Sequence, residues 1–220
     1  MSAERPTLDT IAQITGGTLT GTGKDRIEHL LIDSRNTATD RGTLFIALAG
    51  PRHDGHRYIA SLYARGLRHF LVSAPVDVSA MPEANIIQVP DTLVALQAIA
   101  AWHRSRSNIP IIGITGSNGK TIVKEWLFQM LRGEEYIIRS PGSWNSQVGV
   151  PLSVWDLRAE HTLGIFEAGI SQPGEMDRLR AVIKPTIGLF TNIGPAHGEN
   201  FPGELEKALE KMRLFADAEV

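Results

Sequence analysis

Between Ile109 and Thr121 an apolar run leads into a glycine-rich loop and then into a helix-like segment, and this stretch constrains the fold most strongly. It reads Ile-Pro-Ile-Ile-Gly-Ile-Thr-Gly-Ser-Asn-Gly-Lys-Thr. The isoleucines are typical of a buried parallel strand, and apolar residues recur at helical spacing after Thr121. Glycines let a backbone approach an anion closely, and a helix N-terminus offers unpaired N–H groups. The sequence therefore predicts a phosphate-binding loop.

The candidate nucleotide-binding residues of this loop are Gly116, Ser117, Asn118, Gly119, Lys120 and Thr121. Lys120 can reach the β- and γ-phosphates, and the Thr121 hydroxyl can ligate Mg²⁺. The spacing departs from the standard P-loop, which needs a glycine where Ile114 stands. A plain glycine turn with a solvated Lys120 is the alternative, but Gly-Lys-Thr opening a helix after a strand favours a nucleotide site.

The pattern of secondary structure changes near residue 107, so we predict two domains, 1–107 and 108–220. The first mixes short strand candidates with a few helices. The second shows longer alternation of strands and helices, which favours a parallel, doubly wound sheet. The predicted class is α/β, with a small mixed α/β domain followed by an incomplete P-loop-type domain with a parallel sheet.

Composition argues against several kinds of function. The 220 residues include no cysteine, which excludes disulfides, thiol catalysis and cysteine-based zinc sites. A net charge of −2 gives no basic field for nucleic acid. No apolar run approaches the length of a membrane span, and the first residues lack the apolar core of a signal peptide. We therefore expect a cytoplasmic protein with no nucleic-acid or membrane partner.

Two further residues are predicted to lie beside the loop. Glu167 ends an apolar strand, where a carboxylate is costly to bury unless it is paired or metal-bound. Ligand crevices lie at the carboxyl ends of parallel strands, and His197 follows the next strand. We expect Glu167 to be a direct or water-mediated Mg²⁺ ligand and His197 to contact metal or phosphate. The alternatives are a strand-end acid in water and a solvated loop histidine.

Polar residues on loops of the first domain leave alternatives open. Ser34, Arg35, Asp54 and His56 stand where binding residues concentrate, although solvated loops have the same composition. His53 and His56 are three residues apart, as in some metal sites, but no third ligand is evident nearby and exposed turn histidines are commoner.

The last predicted helix covers residues 204–216 and carries two lysines. Its predicted apolar face consists of Leu205, Leu209, Met212 and Phe215. Such a stripe is typical of a helix packed on a core. For Lys207 and Lys211 the ordinary expectation is a solvated side chain.

Several longer motifs follow one another in a fixed order. The second predicted domain contains Gly113-Ile-Thr-Gly-Ser-Asn-Gly-Lys-Thr, Phe166-Glu-Ala-Gly-Ile-Ser-Gln-Pro-Gly-Glu-Met and Thr191-Asn-Ile-Gly-Pro-Ala-His. The first contains Asp33-Ser-Arg, Gly42-Thr-Leu-Phe-Ile-Ala-Leu and Asp54-Gly-His. Together they resemble the Mur ligases of peptidoglycan synthesis, whose N-terminal domain binds UDP. The second motif favours the branch that adds D-alanyl-D-alanine to UDP-N-acetylmuramoyl-tripeptide over the branch that adds the third residue of the peptide.

The resemblance implies a catalytic role for Lys120, Glu167, His197 and Lys211, and a metal-binding role for Thr121. Lys120 would bind the phosphates of ATP, Thr121 and Glu167 would hold one Mg²⁺, and His197 would hold a second. Lys211-Met-Arg-Leu-Phe matches the segment that carries a carbamylated lysine in the family, so Lys211 is the candidate. ATP and Mg²⁺ are the implied cofactors.

The resemblance also implies the substrate contacts. Ser143-Trp-Asn-Ser-Gln-Val-Gly-Val-Pro is similar to the muramyl-substrate loop, in which Asn145 is the best-placed contact and Ser146 replaces a second asparagine. The loop residues of the first domain would contact the UDP-substrate. They are Ser34, Arg35, Asp54 and His56.

The implied reaction is ATP-dependent amide formation in cell-wall biogenesis, which supports cell shape and division. The carboxylate of the tripeptide attacks the γ-phosphate to give an acyl phosphate, which the amine of D-alanyl-D-alanine then attacks. Family members carry a longer central domain and a C-terminal domain. We therefore expect the N-terminal part of a longer ligase, or of a fusion to an alanine racemase, that is inactive alone. The alternatives are another Mur ligase, a ligase like folylpolyglutamate synthase, or a non-catalytic fragment that binds UDP-sugar or nucleotide.

Overall fold

Two sheets built mainly from parallel strands organise the chain, one in each of two units. The computed structural model describes residues 5–35, 42–50, 53–194 and 200–218. The boundary between the units falls at Ile99 and Ala100, a few residues before the predicted one at 107. The predicted α/β class is confirmed. No described helix combines the length and the apolar character that crossing a bilayer requires.

The first unit contains a five-stranded sheet in the order β1-β7-β6-β3-β2. Its elements are α1 (Leu8–Thr15), β1 (Thr18–Thr20), β2 (His29–Leu31), β3 (Thr43–Ile46), β4 (Ala49–Gly50), β5 (His53–Asp54), α2 (Ile59–Ala64), β6 (His69–Val72) and β7 (Asn85–Gln88). Strand β1 is antiparallel to β7, while the other neighbours are parallel. The predicted mixed α/β character is therefore present, and β4 and β5 add a short separate hairpin.

The second unit contains a parallel sheet in the order β11-β8-β10-β9. The remaining elements are α3 (Thr92–Arg104), β8 (Ile111–Thr115), α4 (Lys120–Leu131), β9 (Ile137–Arg139), α5 (Gly149–Trp155), β10 (Leu163–Glu167), α6 (Glu175–Ile183), β11 (Ile187–Phe190) and α7 (Glu204–Met212). Since β8 lies between β10 and β11, the loop that follows it meets the carboxyl ends of both neighbours. This edge of the sheet is where a ligand crevice forms in α/β folds.

Helix α4 packs on one face of this sheet through part of its apolar stripe. Val123 and Leu127 contact the cluster that contains Ile114 and Ile165. Leu131 also packs there, whereas Ile122, Trp126 and Met130 of the stripe are exposed. On the opposite face Phe166 is fully buried in a larger cluster with residues of α5 and α6, which contributes about 2–3 kcal/mol for a side chain of this size. The two clusters hold β8 and β10 rigidly below the glycine loop.

Apolar residues recur along helix α7 at the predicted helical spacing, but the buried face of the helix is the one opposite to Leu205, Leu209 and Met212. Leu205, Leu209 and Met212 are 67%, 59% and 50% exposed, whereas the following charged residues are at most 6% exposed. They are Lys207, Glu210 and Lys211. The reason is that each finds a polar partner inside. Glu210 Oε1, for example, accepts the backbone N–H of Gly174 at 2.8 Å and of Met176 at 3.2 Å. The expectation that the lysines are solvated was therefore wrong.

Candidate functional site

The loop between β8 and α4 has a backbone that favours glycine at two positions. Gly116 has φ 140° and Gly119 has φ 80°. A Cβ atom on Gly116 would lie 2.0 Å from Thr191 Oγ1, so no larger residue fits there without a shift. Gly119 is the N-cap of α4 and has no side chain to occupy the first N–H groups of the helix. The predicted strand, glycine loop and helix are therefore present in the arrangement that anion binding requires.

The loop is anchored to the segment that follows β11. Ser117 Oγ accepts the N–H of Gly194 at 3.0 Å, and the Asn118 N–H donates to Asn192 Oδ1 at 3.1 Å. Lys120 lies over the loop, where its Nζ donates to the Gly116 carbonyl at 2.9 Å. Burial lowers the pKa of Lys120, against the opposing effect of Glu167. The predicted nucleotide-binding residues thus form one anchored loop, and the Lys120 side chain lies over it.

Glu167 lies at the end of β10 with no exposed surface. Its Oε2 accepts a hydrogen bond from Thr121 Oγ1 at 3.0 Å. Its Oε1 is 3.0 Å from Lys124 Nζ, yet among the described residues no group has the geometry to donate a hydrogen bond to it. The carboxylate is therefore buried and paired, so the alternative of a strand-end acid in water is wrong.

Thr121 and Glu167 suit a hard cation. Mg²⁺ prefers oxygen ligands and is commonly held by one or two carboxylates together with phosphate oxygens of a substrate. A buried carboxylate oxygen without a hydrogen bond beside a phosphate loop fits that requirement. In the described part of the chain no three His, Asp or Glu side chains converge as a metal cluster. His197 lies outside the described residues.

Lys211 reaches the same loop from α7. Its Nζ donates to the Gly116 carbonyl at 3.2 Å, and the residue is 3% exposed. Desolvation and then the charges of Lys120 and Lys207 lower the pKa of Lys211 to about 8. Lys207 also points inward, where its Nζ donates to the Gly194 carbonyl. Three ammonium groups therefore converge beside the predicted phosphate loop.

A cavity of about 380 Å³ joins this cluster to the predicted substrate loop. Lys120, Lys211, Asn145 and Ser146 line it, together with Glu175 and other residues. The Asn145 carbonyl accepts the N–H of Gly169 at 2.8 Å. Ser146 Oγ accepts the N–H of Gly149 at 3.1 Å at the start of α5. The predicted substrate loop and the two lysines that are predicted to be catalytic thus border one cavity within the second unit.

The predicted residues of the first unit lie on its loops. Arg35 pairs with Asp33 at 2.6 Å, and this hydrogen bond lowers the pKa of Asp33 to about 2. The Ser34 carbonyl accepts a hydrogen bond from Arg65 at 2.7 Å. Their role in ligand binding stays a prediction.

His56 is already bonded at both ring nitrogens. Its Nδ1 lies 2.6 Å from Asp54 Oδ1, and its Nε2 accepts the N–H groups of Ser73 at 3.0 Å and Ala74 at 3.3 Å. His53 instead stacks on Tyr58 with ring centroids 5.4 Å apart. His53 and His56 are therefore not arranged as a metal pair.

Lys124 is the site residue that the sequence interpretation missed. It is completely buried and contacts Glu167, although nothing in the linear motif marks it. The signal was its position in the helix, because it lies four residues after Lys120 and three after Thr121 and so shares their face.

Both units match protein families of one kind. Residues 26–104 match the family described as "Mur ligase family, catalytic domain", and residues 114–220 match "Mur ligase middle domain". A UDP-N-acetylmuramoyl-tripeptide–D-alanyl-D-alanine ligase of Synechocystis sp. is 37% identical over 191 residues, which are 87% of this chain and 41% of that protein. The ligase of the same name from Bacillus subtilis is 32% identical over 212 residues, 95% of this chain and 46% of that protein.

Solved structures agree with the sequence matches. A crystal structure of MurF from Acinetobacter baumannii superposes with a TM-score of 0.89 at 30% identity over 98% of this chain and 47% of that chain. MurF ligase from Thermotoga maritima in complex with ADP gives 0.77 at 25% identity over 87% of this chain and 43% of that chain. The chain therefore spans less than half the length of these relatives.

Proposed function

Because this chain belongs to the Mur ligase family, we propose that it forms the first half of an ATP-dependent ligase that adds D-alanyl-D-alanine to UDP-N-acetylmuramoyl-tripeptide. The observation that carries the proposal is the cavity bordered by the partly buried Lys120 at the end of the glycine loop, the buried Lys211 and the substrate loop. The relatives named for this reaction match most of the chain. No observation favours a folate ligase or a non-catalytic fragment.

The loop from Gly116 to Thr121 would hold the phosphates of ATP. Its N–H groups and the positive end of the α4 dipole attract anions, and Lys120 adds a full charge. The Lys120 ammonium rests on the Gly116 carbonyl, from which it can turn toward a bound phosphate. MurF ligase from Thermotoga maritima has been solved in complex with ADP, which supports the binding of an adenine nucleotide by this chain.

Thr121 and Glu167 would hold one Mg²⁺, and His197 would hold a second. The bound ion would offset the negative charge that accumulates when a carboxylate meets a triphosphate. The protein contributes the fixed direction of the Glu167 oxygens, which the Thr121 hydroxyl sets from one side.

Lys211 would react with CO₂ to form a carbamate. The neutral Nζ attacks the carbon of CO₂, an N–C bond forms, and one proton leaves to solvent. A pKa lowered to about 8 increases the fraction of neutral amine at physiological pH, which is the form that reacts. The negative product would lie beside Lys120 and Lys207, whose charges would stabilise it.

The muramyl substrate would enter along the loop that contains Asn145 and Ser146. The backbone carbonyl of Asn145 is already bonded to the N–H of Gly169, so the side chain of Asn145, and not its backbone, is the candidate for a direct substrate contact. In the first unit Arg35 and Ser34 would contact the UDP moiety. Asp54 and His56 would shape the loop, since the ring nitrogens of His56 bond within the protein.

The remainder of the ligase would complete the site. A further domain would help to bind ATP and the incoming amine, so D-alanyl-D-alanine binding is not assigned to this chain alone. We place the reaction in the cytoplasm, where ATP and nucleotide-linked precursors are available.

Ligand-dependent thermal stability tests the binding half of the proposal. A ligand at about 100 times its Kd stabilises the native state by about 2.7 kcal/mol, which raises Tm by several degrees for a chain of this size. We expect Mg-ATP and UDP-N-acetylmuramoyl-tripeptide each to raise Tm, and Lys120→Ala to remove the shift caused by Mg-ATP. Lys24→Ala, which changes an exposed lysine of the first unit, is the matched control.

Two outcomes would contradict this assignment. An unchanged Mg-ATP shift in Lys120→Ala would show that ATP binds elsewhere. Stabilisation by a folate but not by the muramyl nucleotide would show that the substrate class is wrong.

A further inference from the structure

A completely buried lysine links the proposed metal site to the proposed substrate loop. We propose that Lys124 is a positioning residue for the ligation reaction, whose ammonium holds the Glu167 carboxylate and the loop leading to Asn145 in a single arrangement. The inference rests on the proposed function and adds a residue to which no role has been assigned.

The Lys124 ammonium has four polar neighbours. Its Nζ is 3.0 Å from Glu167 Oε1 and 3.3 Å from Glu125 Oε1. It donates to the Ser140 carbonyl at 2.7 Å and also to the Gly142 carbonyl. The ammonium thus connects α4, the end of β10 and the segment after β9.

A completely buried charge of this kind contributes little to the stability of a fold. The free energy lost when the two charges leave water is only partly offset by their mutual attraction, and apolar residues of similar volume often stabilise a protein as well or better. Val123 and Leu127, on either side of Lys124, already pack α4 against the sheet. The helix therefore does not need the Lys124 charge for packing, and the charge is explained by what it positions.

On the metal side, Lys124 fixes the second oxygen of the carboxylate. Thr121 Oγ1 binds Glu167 Oε2, while Lys124 Nζ faces Oε1. The two contacts set the rotation of the carboxyl group, which determines where its lone pairs point. Groups that orient a metal-binding carboxylate in this way commonly change metal affinity or activity 10- to 100-fold when they are removed.

Lys124 also donates hydrogen bonds to two carbonyl oxygens at the start of the predicted substrate loop. Ser140 and Gly142 precede Asn145 by five and three residues, and the Asn145 carbonyl in turn binds the N–H of Gly169 after β10. The Ser140 hydroxyl accepts the N–H of Glu167 at 3.4 Å, which ties the loop and the carboxylate together. Loss of the Lys124 ammonium would therefore disturb both.

Steady-state kinetics of the full-length ligase test this role. Lys124→Met keeps the length of the side chain and removes the charge. We expect the Mg²⁺ concentration for half-maximal rate to rise about 10-fold or more, and KM for the muramyl nucleotide to rise in parallel. Glu125→Gln removes the charge of the partly exposed partner of Lys124, which also pairs with Arg139, and is the control, with both values within about twofold of wild type. Lys124→Arg retains a cation and should recover part of the Mg²⁺ dependence.

A double variant separates positioning from folding. If Lys124 acts on the metal site through Glu167, the Mg²⁺ dependence of Lys124→Met/Glu167→Gln should equal that of Glu167→Gln alone. The double variant also removes both buried charges, so it serves where Lys124→Met does not fold. A folded Lys124→Met with wild-type Mg²⁺ dependence and KM, or additive effects in the double variant, would overturn the inference.

Failure of the proposed function can be distinguished from failure of the positioning role of Lys124. A wild-type enzyme that does not ligate D-alanyl-D-alanine would overturn that function. The Mg²⁺ dependence of ADP binding, measured by calorimetry in the same variants, would then decide the role of Lys124.

Discussion

Burial, more than residue type, decides what the lysines of this site can do. A helical lysine is ordinarily solvated, but Lys211 is 3% exposed and shares the Gly116 carbonyl with Lys120. Removal from water disfavours the charged form, and two neighbouring ammonium groups add repulsion. The pKa of Lys211 falls to about 8 as a result. A side chain that is charged and unreactive on a surface would, in the proposed mechanism, act as a nucleophile for CO₂ in this position.

The lowered pKa predicts how stability depends on pH. Between about pH 8 and the ordinary lysine value of 10.5, the unfolded chain binds more protons at Lys211 than the folded chain does. Stability therefore rises with pH through this window. Relative to Lys211→Met, the wild type should gain about 1–2 kcal/mol of unfolding free energy between pH 7.5 and 9.5.

Urea unfolding in CO₂-free buffer at the two pH values measures this difference. Lys24→Met, which changes an exposed lysine, should keep the wild-type pH dependence. Equal pH dependence in wild type and Lys211→Met would show that Lys211 titrates as if it were in water.

At the scale of the element, α7 shows that an amphipathic period does not determine which face is buried. The helix places its charged residues against the glycine loop and the start of α6, and leaves Leu205 and Leu209 exposed. Charged residues go inside because the loops next to α7 present backbone N–H and carbonyl groups that these side chains hydrogen-bond, which a leucine cannot do. The orientation follows from those neighbours and not from the helix itself.

Two substitutions on α7 test this orientation. Glu210→Ala removes the acceptor for the N–H groups of Gly174 and Met176 at the start of α6, and should cost about 1–2 kcal/mol. Leu209→Lys adds a charge to an exposed position and should change stability by less than about 0.5 kcal/mol. Denaturant unfolding of the 220-residue chain measures both. A large loss in Leu209→Lys with none in Glu210→Ala would mean that the helix packs the other way round.

The contrast between the glycine loop and α7 shows what the sequence could predict. The loop was predicted because a buried strand, Gly116, Gly119 and a helix start are local features, each with its own physical rule. The position of Glu167 at the end of β10 followed from the same kind of reasoning. The burial of Lys124 and the inverted face of α7 depend on groups that are distant in sequence, such as the Ser140 and Gly194 carbonyls. Helical spacing indicates that Lys124 shares a face with Lys120 and Thr121, but no local pattern indicates that this position is buried or that the charged face of α7 is turned inward.

At the scale of the whole molecule, the chain consists of two units, for which we propose separate tasks. The family match confirms the resemblance seen in the motifs, and it covers both units. The second unit contains the glycine loop, the ion pair between Glu167 and Lys124, and the cavity. The first unit contains the loops proposed to contact UDP. Relatives are more than twice as long as the aligned part, so turnover is a property we propose for the full ligase.

The formation of UDP-N-acetylmuramoyl-pentapeptide by the full-length ligase tests the central claim most directly. Mass spectrometry of the product, with ADP release measured in parallel, should show product only when the tripeptide, ATP, Mg²⁺ and D-alanyl-D-alanine are all present. Lys120→Ala should reduce the rate by at least about 100-fold, and Lys24→Ala should leave it unchanged. Product formation that does not depend on Lys120, or ligation of glutamate to a folate in place of this reaction, would contradict the account.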